Sequence, residues 1–191
     1  MVINESFESG LLKILVRMKM MTQEDAHAIE KSFHDSEVDR FDEFLLQENI
    51  VDEANLLQAL SEYYQVPSFD VLGYFFETRY VRMFPKDMLL RYSLIPLEVD
   101  ENIMLMITSN PADPELLFEI GEHVSYDIQF YVGIGRDIGD SVKEFYDKAD
   151  TEYFLGEEDE EGHLSGELYI SRDGEGEESL TFSLDDEDSF E

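Results

Sequence analysis

The feature that most constrains this chain is a repeat spaced by 30 residues near its start. A repeat of this period is one supersecondary unit copied. Residues 10–22 align with residues 40–52, and each copy predicts a short helix, a tight turn, a capping residue and a second helix. In the first unit Leu11, Ile14 and Leu15 share a helical face, and Thr22 with Asp25 has the spacing of a capping box. Ala26, Ile29 and Phe33 then stripe the second helix. In the second unit Phe41, Phe44 and Leu45 take the first part, Asn49 suits a left-handed turn and Asp52 caps. Leu56, Leu57, Leu60 and Tyr64 form the matching stripe, and Pro67 closes the helix. Residues 1–65 are expected as a helical repeat subdomain whose two hairpins bury their stripes against each other.

The pattern changes over residues 66–149. Met88, Leu89 and Tyr92 mark a helix entered at Pro85. Two apolar runs around the polar turn 100–102 predict an antiparallel hairpin. Asp113 is placed as an N-cap with Pro114 at the first helical position, and Leu116, Leu117 and Ile120 stripe the helix beyond. Ile128, Phe130 and Val132 alternate as a strand, and Ile138, Val142 and Phe145 stripe a last helix. The fold class expected is α+β: a helical-hairpin repeat followed by a small domain with helices on a short sheet.

Charge separates a third region. The chain of 191 residues carries 46 acidic and 13 basic side chains, a net charge of −33. Residues 150–191 hold 17 acidic residues and one basic, Arg172, so 16 net negative charges lie there and 17 in the first 149 residues. Glycine mixed with like charge at 156–162 and 174–178 favours a solvated chain, so residues 150–191 are expected as a largely disordered acidic tail. Leu168 and Ile170, then Leu180, Phe182 and Leu184, have strand spacing, which leaves a marginal hairpin or a strand added to a partner's sheet as alternatives.

The same charge argues against broad contact with nucleic acid or an anionic membrane, since each phosphate contact needs a Lys or Arg. The chain has no cysteine, which excludes disulfides, thiolate catalysis and Cys-based zinc sites. No run approaches the roughly 20 apolar residues of a membrane helix, and the start lacks the order of a secretory signal. A cytoplasmic protein without membrane insertion is expected. Neither a nucleophile with an adjacent base nor organised paired carboxylates occur, so an enzyme is not expected.

Two weaker patterns have plain explanations. Gly133, Gly135 and Gly139 have a spacing one residue too long for a dinucleotide fingerprint and read as a strand-to-helix turn, with Arg136 near a helix N-terminus. His27 and His34 lie seven apart on one helical face, which reads as a solvated face rather than a metal site.

The ordered series over residues 10–147 resembles the N-terminal region of the assembly ATPases of type II secretion and type IV pilus systems. In that family a doubled motif, approximately Arg-Leu-Gly-x-x-Leu-Val-x-x-Gly-x-Ile-Thr, precedes a segment ending in proline and a small α+β module. Ile14, Leu15, Val16, Met21 and Thr22 occupy its positions in one unit, and Phe44, Leu45, Leu46, Ile50, Val51 and Asp52 in the other. Phe84, Pro85, Tyr92, Pro96, Leu97 and the run 107–113 continue the likeness. Family ATPases go on to a motor domain with a Gly-x-x-x-x-Gly-Lys-Ser/Thr loop, which this sequence does not contain.

The resemblance implies a non-catalytic interaction or regulatory module that docks on a secretion or pilus platform or motor component. Arg17, Lys19, Arg40, Gln47 and Glu48 are the expected partner face. In some family members the doubled motif binds cyclic di-GMP through its arginine and close-packed glycine, which makes a nucleotide sensor the alternative. Arg17, Arg40 and Phe41 are the candidate ligand residues on that alternative. Gly10 replaces the arginine and Leu12 the glycine in the first unit, while the second keeps Arg40 but has Asp42 at the glycine. Bulk and negative charge there oppose a dianionic ligand, so no cofactor is expected.

Overall fold

The computed structural model describes residues 6–151, 153–158, 164–170 and 178–183. Four helices build the repeat: α1 (Phe7–Arg17), α2 (Gln23–His34), α3 (Phe41–Gln47) and α4 (Glu53–Tyr64). Their ends carry the signals expected. The Thr22 hydroxyl accepts from the Asp25 N–H at 3.2 Å while the Asp25 carboxylate accepts from the Thr22 N–H at 3.0 Å, a complete capping box. Asp52 accepts from the Asn55 N–H at 2.8 Å.

The repeat is also visible in how the first helix of each unit stops. Lys19 donates to the Val16 carbonyl and Met20 to the Leu15 carbonyl; thirty residues on, Asn49 donates to Leu46 and Ile50 to Leu45. These paired bonds form a Schellman motif, which needs a left-handed residue after the helix. Lys19 at φ 64° and Asn49 at φ 53° supply it.

Leu11, Leu12, Leu15, Phe41, Phe44, Leu45, Leu56 and Leu60 are buried together. In α1 the stripe shifts from the expected one: Leu12 is 3% exposed and Ile14 only half-buried. The cause is that α1 is covered on two sides, by α2 and by α4.

The second module contains α5 (Thr78–Val81), α6 (Lys86–Arg91), β1 (Leu94–Asp100), β2 (Ile103–Thr108), α7 (Leu116–Gly121), β3 (Asp127–Val132) and α8 (Gly135–Thr151). The α+β class stands. The sheet has the order β1-β2-β3, with β1 antiparallel and β3 parallel to β2. Asp100 pairs with Ile103, so the turn of the hairpin is two residues, one fewer than expected, with Glu101 at φ 52°. The helix after Pro114 begins later than expected, at Leu116. The Asp113 carboxylate accepts from the Glu115 N–H at 2.9 Å, an Asx turn that holds the chain outside the helix for two more residues.

Residues Met1–Val142 form one compact unit, so the repeat and the α+β module are joined rather than separate. Val132 and Ile134 belong to the core of the helical repeat. Ser68 bridges Val132 in parallel, Val132 donates to the Pro67 carbonyl at 2.8 Å and Phe69 donates back to the Val132 carbonyl at 2.9 Å.

A second unit, Lys143–Glu191, contains β4 (Tyr153–Glu158), β5 (Leu164–Ile170) and β6 (Glu178–Ser183). They pair antiparallel in that order, with Leu168 opposite Leu180 and Gly166 opposite Phe182. The hairpin alternative for the tail has its counterpart in β5 and β6. Half of residues 150–191, Leu184 among them, lies outside the described residues, and the disorder expected there lies outside them too.

Candidate functional site

Arg40 stands at the junction of the two modules. It is the N-cap residue of α3, in extended conformation, and makes no capping bond with its side chain. The guanidinium is therefore free to project toward the second module. Nε donates to Asp42 Oδ1 at 3.2 Å and Nη2 to Asp42 Oδ2 at 2.8 Å, a bidentate ion pair. Nη1 donates to the Ser109 hydroxyl at 3.2 Å, beyond the end of β2, and to the Ser93 hydroxyl at 3.4 Å, beyond the end of α6.

The plane of the guanidinium rests on Gly135, the first residue of α8. A methyl group there would stand 2.5 Å from Nη2 and 2.6 Å from Cζ. Burial opposes the charge of Arg40, but the hydrogen bonds and attraction of Asp42, with Glu43 behind it, raise its pKa above the ordinary value. Tyr64 is pushed up to about 12, first by burial and then by Tyr63 and Asp42, against the opposing pull of Arg40.

The other proposed ligand residues are elsewhere engaged. Phe41 is 2% exposed, with ring centroids 5.0 Å from Phe33 and 6.3 Å from Phe44, so its ring is buried in the core of the repeat. Arg17, in the last turn of α1, pairs with Glu62 of α4 at the surface. The two positions at which the family motif places its close-packed glycine are both buried: Leu12 lies in the core, and Asp42, 5% exposed, holds Arg40.

Lys19, Gln47 and Glu48 are exposed. Lys19 follows α1 and Glu48 is the C-cap of α3, so both belong to the helix-ending turns of the repeat. Gln47 donates to Glu43 Oε1 at 2.8 Å, one turn back on its own helix. Among the described residues no hydrogen bond or ion pair links Lys19 to Gln47 or Glu48.

Of the glycines after β3, Gly133 serves packing and Gly139 does not. A methyl on Gly133 would stand 2.8 Å from Ile107 Cγ2, while Gly139 has nothing within 4 Å. Arg136 donates to Glu53 of α4 at 2.7 Å and to Asp137 at 2.9 Å, a second tie between the modules. Ser93, Ser109, Gly135 and Asp137 were not legible as site residues in the sequence, since their roles depend on chain segments far away. Asp137 is 5% exposed, and burial raises its pKa against the lowering effect of Arg136.

Two clefts border α4. One, of about 380 Å³, is lined only by uncharged residues, including Tyr64, Pro67, Pro111 and Phe130. The other, of about 470 Å³, is bounded by Glu53, Ser61, Ser68 and Asp70 and has no Lys or Arg in its lining. Neither offers a cation to a phosphate. Among the described residues no three metal-ligating side chains come together, and no helix is long and apolar enough to cross a membrane.

Residues 77–152 match the MshEN domain family, a span that runs from the N-cap of α5 to just past the end of α8. No curated protein matches the sequence. Among solved structures, one described as MshE with cdg superposes with a TM-score of 0.59 at 16% identity, covering 71% of this chain and 98% of the other. The N-terminal domain of XpsE superposes with a TM-score of 0.54 at 15% identity, covering 73% of this chain and 95% of the other. The chain thus has the fold of the N-terminal domains of type II secretion and type IV pilus ATPases, and its α+β half matches the MshEN domain in sequence.

Proposed function

We propose that this chain is a non-catalytic docking module that binds a platform or motor component of a secretion or pilus apparatus in the cytoplasm. The observation that carries this reading is the state of Arg40. The one arginine kept at its motif position is held by the buried Asp42 carboxylate through two hydrogen bonds. With that cation neutralised and the clefts lacking others, the surface is better suited to a protein than to a dianion. The exposed turns of the repeat, Lys19, Gln47 and Glu48, with Arg17 beside Lys19 in sequence, are the proposed partner face.

The test is copurification of the full chain with platform and motor components of such a system. Capture of one component, lost when Lys19, Gln47 and Glu48 are changed together to alanine, supports the module and its face. Capture unchanged by those substitutions removes the face, and no capture of any component removes the module.

A second reading, a sensor for cyclic di-GMP, is favoured by the fold likeness to the MshE structure described with cdg. Calorimetry with cyclic di-GMP decides it. Saturable heat abolished by Arg40→Ala supports the sensor, and no heat at high micromolar ligand removes it.

A further inference from the structure

Helix α7 buries only half of its apolar residues. Leu116 is 1% and Ile120 0% exposed, while Leu117 is 57% and Phe118 70% exposed. The segment is too short to owe its helicity to propensity, so the buried pair anchors it and the exposed pair is left facing water. An adjacent Leu and Phe in water have no role in holding this fold, and a rimmed apolar patch of that kind marks an interaction surface.

The rim is acidic. Asp113, Glu115, Glu119 and Glu122 surround the pair in sequence, and all but Asp113 lie on the helix or at one of its ends. Glu119 lies within α7, and Glu115 and Glu122 cap its two ends, so three carboxylates sit on the element that carries Leu117 and Phe118. The chain's net charge of −33 adds a long-range field of the same sign.

The other exposed apolar group, Leu72, Tyr74 and Phe75, lacks this one-sided rim. Glu77 and Arg79 beside it neutralise each other at 2.6 Å.

We propose that Leu117 and Phe118 of α7 form a docking surface for a basic amphipathic segment of a partner protein. Apolar residues of the segment cover the Leu117–Phe118 pair, and its Lys or Arg residues meet the surrounding carboxylates. An anionic membrane is disfavoured because those carboxylates would face its headgroups. This proposal rests on the docking reading above and names a second surface and the chemistry of what it receives.

The experiment uses the full chain and a fluorescent helical peptide of about 18 residues with leucine on one face and lysine on the other. Two control peptides replace every lysine by glutamate or every leucine by serine. The expected result is binding of the Leu/Lys peptide, at least tenfold weaker for both controls. Leu117→Ser with Phe118→Ser weakens it at least tenfold at unchanged circular dichroism, whereas Leu72→Ser with Phe75→Ser leaves it unchanged.

Equal binding by the Ser/Lys peptide, or by the α7 variant, would place the interaction in bulk charge such as the acidic tail and overturn the proposal. So would absence of binding, or a preference for phosphatidylserine vesicles that the α7 variant loses. Failure here with successful capture of a platform or motor component leaves the docking module standing, and the reverse result removes the module alone.

Discussion

The guanidinium of Arg40 lies against the backbone of Gly135, so close that a methyl on Gly135 would meet Nη2 at 2.5 Å. This contact joins the start of α3 to the start of α8, and with Asp42, Ser93 and Ser109 it fixes the orientation of the repeat on the sheet module.

Gly135→Ala therefore displaces Arg40 and is expected to cost about 1 to 3 kcal/mol. Arg40→Ala leaves the Asp42 carboxylate buried without its partner and is expected to cost about 3 kcal/mol, the low end for a buried pair because Arg40 is itself over a third exposed. In the double variant the methyl has room, so urea unfolding should show the two losses to be strongly non-additive. Arg40→Lys should not rescue, because an ammonium cannot grip both carboxylate oxygens. Strict additivity would show that the contact carries no energy.

Lys19 occupies a left-handed turn at φ 64° that a side chain makes costly. Lys19→Gly should raise stability by about 0.5 to 1 kcal/mol after the added freedom of the unfolded chain is counted. Asn49→Gly, at the matching turn, should gain less because asparagine tolerates that conformation. Thermal melts of the two variants compare them directly.

The Tyr92 hydroxyl is buried and has no hydrogen-bond partner among the described residues. Removing an unsatisfied buried donor relieves rather than harms a fold. Tyr92→Phe should leave the melting temperature unchanged or higher, and a clear fall would reveal a partner for the hydroxyl.

Two carboxylates should respond to acid in opposite directions. The Thr22 hydrogen bonds lower the pKa of Asp25 below its ordinary 3.8. Its contribution is present above 3.8 and is lost as pH falls through the lowered folded value. Burial raises the pKa of Asp137 above 3.8, so its contribution is fully present below 3.8 and is lost as pH rises through the raised folded value. Relative to Asp137→Asn, the native chain should therefore lose stability on leaving acid, and relative to Thr22→Ala it should lose stability on entering acid. Urea midpoints between about pH 3 and 7 measure both slopes.

The helix ends of the repeat, the repeat itself and the β1–β2 hairpin were legible in the sequence because each is written within a few residues. A Thr and an Asp three apart make a capping box wherever the chain goes, and two helices of one period repeat whatever packs on them. The site was legible only in part. Arg40 stood out in the aligned motif, yet its hydroxyl partners lie 53 and 69 residues away, and no spacing announces Ser93 or Ser109. Phe41, set among the ligand residues, is buried because α2 brings Phe33 onto it.

By itself the sequence determined an acidic α+β chain with a doubled helical hairpin, since alternation, helical period and capping chemistry are local. Tertiary structure decided the rest: that Leu12 faces the core, that Asp42 neutralises Arg40, and that α7 covers Leu116 and Ile120 but leaves Leu117 and Phe118 in water. The physical reason is that hydrophobicity prescribes which residues benefit from burial, while only the placement of distant neighbours decides which of them are covered.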